Sequence, residues 1–167
     1  MVLNQPKESQ KYFMEQVLIL IKPEALQKAI VGDVINQFIK NDIKLVGLKV
    51  VKPSERLAKK HYELLKDKFF YKQIVEYLTG KFHDGNPIVA MVFEGQQAID
   101  KCRTIAGATN PEEADTRTVR GRYGRITTKG LFENVVHVSS SLGEARREIP
   151  LWFKKNELIP GPLKARK

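Results

Sequence analysis

The sequence predicts an α+β domain, a small antiparallel sheet with helices packed on it. Three observations carry that reading. Four apolar or β-branched runs of strand length fall at 17–21, 43–51, 88–93 and 134–138. Segments between them repeat apolar residues at helical spacing. The 167 residues are 42% hydrophobic and 29% charged, the mixture of one ordinary globular domain.

The elements follow in order. Residues 17–21 read VLILI and stop at Lys22-Pro23, as a buried strand does. Val31, Val34, Ile35, Phe38 and Ile39 share one helical face, and Asn41-Asp42 end that helix. Residues 43–51 are rich in β-branched side chains and close at Pro53. Ser54 caps a helix running through SERLAKKHYELLK. Ile74, Val75, Tyr77 and Leu78 mark another, ended by Thr79-Gly80, and KFHDGNP (81–87) is turn chemistry. IVAMVF (88–93) is the clearest strand, and Ala98, Ile99, Cys102 and Ile105 give a helix that stops at Gly107. Residues 108–134 are polar and glycine-bearing and read as a loop. NVVHV (134–138) is the fourth strand, and a last helix spans 142–153, with Pro150 expected to kink or end it. The skeleton is βαββαβ, the ferredoxin-like arrangement, which by itself settles no function. Residues 1–15 read as a flexible N-terminal arm, 16–158 as the domain and 159–167 as a basic C-terminal tail.

Composition narrows the chemistry. The single cysteine, Cys102, excludes a disulfide scaffold and a Cys-rich zinc site. No apolar run approaches 18 residues, so no membrane span is expected. The N-terminal residues lack the apolar core of a secretory leader, and a cytoplasmic setting is the simplest expectation. The net charge of +10 favours anionic partners. Arg117, Arg120, Arg122, Arg125 and Lys129 form one acid-free stretch interleaved with glycines. Guanidinium forks match phosphate oxygens, so that stretch points to phosphate.

Phosphate is not held by a familiar loop, since neither GxxxxGK[ST] nor GxGxxG occurs. HExxH, GxSxG and the aromatic RNA-recognition signature are also missing. Side-chain cations and a nucleophile remain. His83 reads as an exposed turn residue and His61 as a helix-surface residue. His137 sits in an apolar strand, after a cation-rich loop and before Ser139, Ser140 and Ser141. It is either a core histidine or a nucleophile toward a phosphoryl group.

Several blocks now resemble one family. NVVHVSS resembles the active-site signature N-[IV]-[IV]-H-G-S-D of nucleoside diphosphate kinases. IKPEALQKAIVGDVI is similar to IKPDGVQRGLVGEII, and LVGLKVVKPSERLAKKHYELLKDKFF to the segment that follows it. PIVAMVFEG, GATNP, TVRG and EIPLWF resemble PVVAMVWEG, GATNP, TIRG and EIGLWF. Together they cover about residues 16–158 in the family's order.

The resemblance implies ping-pong transfer of the γ-phosphoryl of a nucleoside triphosphate, ATP for instance, to a nucleoside diphosphate. It implies a phosphohistidine at His137, with Mg²⁺ held mainly by the nucleotide phosphates and no metal ligand from the protein. Lys22 matches the lysine that meets the phosphates and the ribose hydroxyl, and Tyr62 the tyrosine beside it. Phe70 matches the aromatic on which the base stacks. Arg103 and Thr109 match contacts to the β-phosphate, and Arg120 the contact to the γ-phosphate. Asn134 matches the amide that reads the 3′-hydroxyl. Ser139 and Glu148 match the pair behind the histidine, with Glu148 expected to accept from Nδ1 and leave Nε2 free. A homo-oligomer (hexamer, or tetramer or dimer) is implied too.

The chain departs from the pattern at Val138, Ser140, Glu24-Ala25 and Thr116-Arg117. A β-branched Val138 is expected to crowd the path to the ring. Two insertions of about four residues occur, near KFHDGNP and within RYGRITTKGLFE, the second bringing Leu131 toward the base position. Two other readings stay open: a basic nucleic-acid-binding module on the same fold, with nucleic acid as a secondary partner, and a scaffold without turnover.

Overall fold

The computed structural model describes residues 13–159. The expected arm up to residue 12 and the tail from residue 160 lie outside the described residues. The chain opens with β1 (Met14–Ile21), a one-turn α1 (Pro23–Gln27), α2 (Val31–Ile39) and β2 (Lys44–Val51). Then come α3 (Glu55–His61), α4 (Tyr71–Leu78), β3 (Ile88–Gln96) and α5 (Ala98–Ala106). The last third holds α6 (Val119–Tyr123), a hairpin of β4 (Arg125–Ile126) and β5 (Phe132–Glu133), β6 (Val136–Val138) and α7 (Leu142–Trp152).

The main sheet has the order β2-β3-β1-β6, and each neighbouring pair is antiparallel. The α+β, ferredoxin-like arrangement expected from the sequence is therefore present. β1 and β3 are central because their apolar runs are continuous: Val17–Ile21 and Ile88–Phe93 are all buried. Helices α5 and α7 pack against β1. Ser54 caps α3, its hydroxyl accepting from the Leu57 N–H at 3.2 Å, as the sequence predicts.

Three differences have local causes. α1 starts on Pro23, where the missing N–H breaks no helical bond, so Lys22-Pro23 ends a strand and opens a helix at once. The stretch read as a loop contains α6 and the β4–β5 hairpin. Thr118 caps α6, its hydroxyl accepting from the Gly121 N–H at 3.2 Å, and neither element has the apolar periodicity of a longer one. Pro150 does not end α7, one of the two outcomes expected from sequence: it lies exposed inside the helix, which runs on to Trp152. The buried Ile149 and Trp152 anchor that last turn.

Gly80, two residues past the end of α4, adopts φ +81°. Its carbonyl accepts from His83 N–H at 2.9 Å and Gly85 N–H at 3.0 Å, folding the first insertion into a compact turn. A Cβ on Gly80 would collide with the Asn86 carbonyl oxygen. Gly80→Ala is expected to lower stability by about 1–3 kcal/mol, read from the urea midpoint at unchanged m-value.

Candidate active site

β6 is three residues long and lies at the sheet edge beside β1, with Leu20 opposite His137 and Ile21 opposite Val136. Side chains alternate along a strand, so Val136 and Val138 enter the core and His137 faces the other way. The His137 side chain keeps 18% of its surface accessible. Val138 therefore packs in the core and does not crowd the imidazole, contrary to expectation from its branched side chain.

The turn before β6 is tight. Val136 N–H bonds to the Asn134 carbonyl at 2.7 Å, closing a turn about Val135. Val135 sits at φ +68°, a left-handed conformation that a β-branched residue rarely takes. It is held from both sides. Its N–H donates to Glu24 Oε1 at 2.8 Å, and its carbonyl accepts from Lys22 N–H at 2.8 Å. Glu24 is fully buried.

Behind His137, the Nε2 atom lies 3.0 Å from Glu148 Oε2. A carboxylate only accepts, so Nε2 carries the proton and Nδ1 keeps its lone pair. This reverses the nitrogen assignment expected from sequence. Ser139 donates its hydroxyl to the same oxygen at 2.7 Å and accepts from Leu18 N–H at 3.3 Å. Arg147 reaches Glu148 Oε1 at 3.3 Å. Ring and carboxylate are thus set in one orientation.

His61, expected at the surface, is buried. Trp152 donates Nε1–H to His61 Nδ1 at 3.2 Å, and the His61 ring stands edge-on to His137 at 4.4 Å. Burial, followed by the neighbouring His137 and Arg147, pushes His61 well below the ordinary histidine range. It stays neutral beside the candidate nucleophile. Tyr62 meets His137 edge-on at 6.4 Å, and burial, then Glu148, raises its phenol.

Two cations converge from other elements. Lys22 is buried and donates Nζ–H to Asn134 Oδ1 at 2.6 Å. Burial pulls its ammonium down to about 8, against Glu24, which favours the charge, and with Arg120, which opposes it. Arg120, on α6, donates to the carbonyls of Gly107 at 2.7 Å and Val136 at 3.0 Å. Its buried Nε finds no partner among the described residues. Burial, then Arg103, lowers its guanidinium to about 10. Asn134 completes the group, donating to the Thr109 carbonyl at 3.1 Å.

The structure brings Lys22, Asn134, Thr109, Arg120, Tyr62, His137, Ser139 and Glu148 into this bonded or stacked group. Arg103 is exposed on α5 and joins through its field on Arg120. Phe70 is half-buried at the start of α4, edge-on to Phe69 at 5.2 Å, with no bond to the rest. The cation-rich stretch does not act as a unit. Arg117 pairs with Asp115 at 2.8 Å and Arg125 with Glu133 at 2.6 Å, which leaves Arg120 as its member at the site. Glu24, His61, Trp152 and Tyr77 escaped the sequence reading of the site. The one available signal was an acid directly after Lys22-Pro23.

Known proteins share this architecture. The sequence profile of the family described as Nucleoside diphosphate kinase matches residues 15–158. The chain belongs to the nucleoside diphosphate kinase family. It is 39% identical to the nucleoside diphosphate kinase of Pyrococcus horikoshii over 148 residues, 89% of this chain and 90% of that protein. It also resembles the nucleoside-diphosphate kinase of Borrelia burgdorferi, solved as a transition state mimic with vanadate and ADP. That match has a TM-score of 0.80 at 30% identity, covering 89% of this chain and 92% of that one. The Halobacterium salinarum nucleoside diphosphate kinase, solved with CDP, gives a TM-score of 0.80 at 32% identity, covering 89% and 93%. As a member of this family the chain is a phosphotransferase of nucleotide metabolism.

The depressed Lys22 gives a pH signature. Below about 8 the ammonium is charged, the form an anion would favour; above it the free protein carries a neutral amine there. Affinity for ADP is expected to fall as pH rises through about 8, and Lys22→Arg to flatten that fall, both by titration calorimetry. Stability runs the other way. Between about 8 and 10.5 the unfolded chain binds the extra proton, so Lys22's contribution to stability grows with pH.

Proposed function

We propose that His137 carries a phosphoryl group between nucleotides in a ping-pong exchange. The observation that best supports this is the imidazole bound through Nε2 to Glu148, which leaves Nδ1 with its lone pair. In the first half-reaction Nδ1 attacks the γ-phosphorus of a nucleoside triphosphate such as ATP. An N–P bond forms as the bond to the β,γ-bridging oxygen breaks, and the diphosphate leaves with that oxygen. A second diphosphate attacks the phosphohistidine and returns Nδ1 to its starting state. One pocket serves donor and acceptor in turn, so a covalent carrier removes the need for two nucleotide sites.

The remaining residues have assigned tasks in this reading. Lys22 meets the phosphates and the ribose hydroxyl, and Asn134, already bonded to it, reads the 3′-hydroxyl. Arg120 faces the γ-phosphate, with Arg103 and Thr109 at the β-phosphate. Phe70 stacks on the base, a contact tolerant of base identity. Tyr62 stands beside Lys22. Ser139 and Glu148 hold the ring, as catalytic triads hold theirs.

Magnesium fits as an ion that arrives on the nucleotide. It prefers oxygen ligands, whereas the donor group nearest His137 is His61, His137 and Glu148. Glu148 already accepts from His137, Ser139 and Arg147, and Glu24 is buried beneath the turn. Bound to the phosphates, the ion neutralises charge that develops in transfer; Arg120 and Lys22 supply the protein's share.

Splitting of the cation-rich stretch into separate ion pairs favours the nucleotide reading over a nucleic-acid stripe. We further infer a cytoplasmic protein that forms a homo-oligomer. Edge strand β2 exposes Leu48 and Val50, apolar side chains of the kind an interface covers. Among the described residues no helix is long and apolar enough to cross a membrane.

Incubation with γ-labelled ATP and Mg²⁺ is expected to leave an acid-labile, base-stable phosphate on Nδ1 of His137, discharged by any nucleoside diphosphate. Phosphorus NMR locates the nitrogen, and absence of label on the wild type would falsify the reading. Glu148→Gln is expected to slow transfer by about 10²-fold with the fold intact by circular dichroism.

A further inference from the structure

The two insertions that distinguish this chain from the family pattern meet at one buried carboxylate. Glu133, on β5, is 5% exposed. Its Oε1 lies 3.0 Å from His83 Nε2 and 3.3 Å from Arg125. Its Oε2 accepts from Arg125 Nε at 2.6 Å and Lys28 Nζ at 3.0 Å. His83 stands in the turn near which the first insertion falls, Arg125 in the stretch that holds the second, and Lys28 in the link between α1 and α2. His83, read from sequence as exposed, is buried because of this pairing.

We infer that Glu133 is a positioning residue for nucleotide binding, tying both insertions and the α1–α2 link behind the Lys22–Asn134 pair. The inference rests on the kinase reading.

Two short routes lead from Glu133 to Lys22. The first is the chain itself. Asn134 follows Glu133 directly and accepts from Lys22 Nζ at 2.6 Å. On its far side Asn134 is pinned by the left-handed Val135. On its near side it hangs on a hairpin with two residues per strand, pairing Arg125 with Glu133 and Ile126 with Phe132. Hairpins that short do not persist unaided. The Arg125 fork and the Lys28 ammonium on the Glu133 carboxylate supply the missing restraint.

The second route is through rings. His83 Nδ1 finds no partner among the described residues, so Glu133 is the ring's one hydrogen-bonded anchor there. The His83 ring lies against Tyr77 at 5.1 Å, and the Tyr77 ring lies under Lys22 Nζ at 4.8 Å. Glu133 thus backs both the group that accepts from Lys22 and the ring on which Lys22 rests. Burial alone would raise the Glu133 acid, yet the Arg125, His83 and Lys28 donors hold it at about 2. The tie therefore stays ionised wherever the enzyme works.

Glu133→Gln preserves side-chain volume and removes both ion pairs. KM for ADP and ATP is expected to rise about tenfold, while the single-turnover rate of His137 phosphorylation at saturating ATP stays within about twofold. Because the effect passes through Asn134 and Lys22, the KM penalty should shrink to about threefold or less with 3′-deoxy-ADP, which lacks the hydroxyl they reach. Arg125→Gln, an exposed site, keeps the carboxylate buried and should raise KM about threefold; it carries the test if Glu133→Gln does not fold. Unchanged KM in the folded variants overturns the inference, as does an equal penalty on ADP and its 3′-deoxy analogue. A wild type that takes no phosphate overturns the kinase reading instead, so the two failures are distinguishable.

Discussion

The site depends on one residue, Val135, being held at both its backbone N–H and its carbonyl. A branched residue in a left-handed conformation costs about 1–3 kcal/mol, so something must hold it there. The Glu24 carboxylate takes its N–H and the Lys22 N–H takes its carbonyl. Both come from the first three residues after β1, so sheet and turn are tied at one point. Released into an ordinary extended conformation, the turn would rotate Asn134 relative to His137. β6 is too short to restore that geometry by itself, having three pairs with β1. The buried acid after Lys22-Pro23 is therefore as much a part of the site as the imidazole it never touches.

Charge is arranged in two layers about this turn. Carboxylates lie behind: Glu24 beneath Val135 and Glu148 beneath His137, each saturated on at least one oxygen by protein donors. Cations lie in front, with Lys22 buried and Arg120 bonded to two carbonyls. The desolvation that depresses both cations is the free-energy cost of fixing them before the ligand arrives. A phosphate bound between them would recover that cost, because an anion favours each charged form. Neutral His61 fits the same logic. An imidazolium at His61 would put a positive charge 4.4 Å from the His137 ring, the proposed nucleophile.

Legibility in the sequence followed the range of the forces involved. β1 and β3 were readable because continuous apolar runs leave a strand few alternatives. α6 and the β4–β5 hairpin were not, since Thr118 and the Glu133 ion pairs hold them rather than any apolar repeat. The candidate catalytic group was not deducible from spacing: His137 alone reads more readily as core, and Glu148 as a surface acid. Family resemblance supplied them, and geometry then corrected which nitrogen faces the carboxylate. The other two histidines were misread for one reason. Each is buried by a partner far along the chain, Trp152 for His61 and Glu133 for His83, and turn or helix-surface context shows none of that.

The departures from the family pattern also become intelligible in these terms. Val138 is tolerated because strand alternation sends it to the core while His137 faces outward. Ser140 offers no carboxylate, but Glu144 accepts its N–H at 3.0 Å, placing an acid from the first turn of α7 over that position. Burial opposes the Glu144 charge, yet that backbone bond, the Ser140 side chain and the nearby His137 and Arg147 still hold its acid below the usual range. A charge lost from the strand end is thus returned from the helix. The second insertion behaves alike in part: its Arg125 is matched by the buried Glu133. Each departure thus sits where an alternation or a nearby acid accommodates it in this structure.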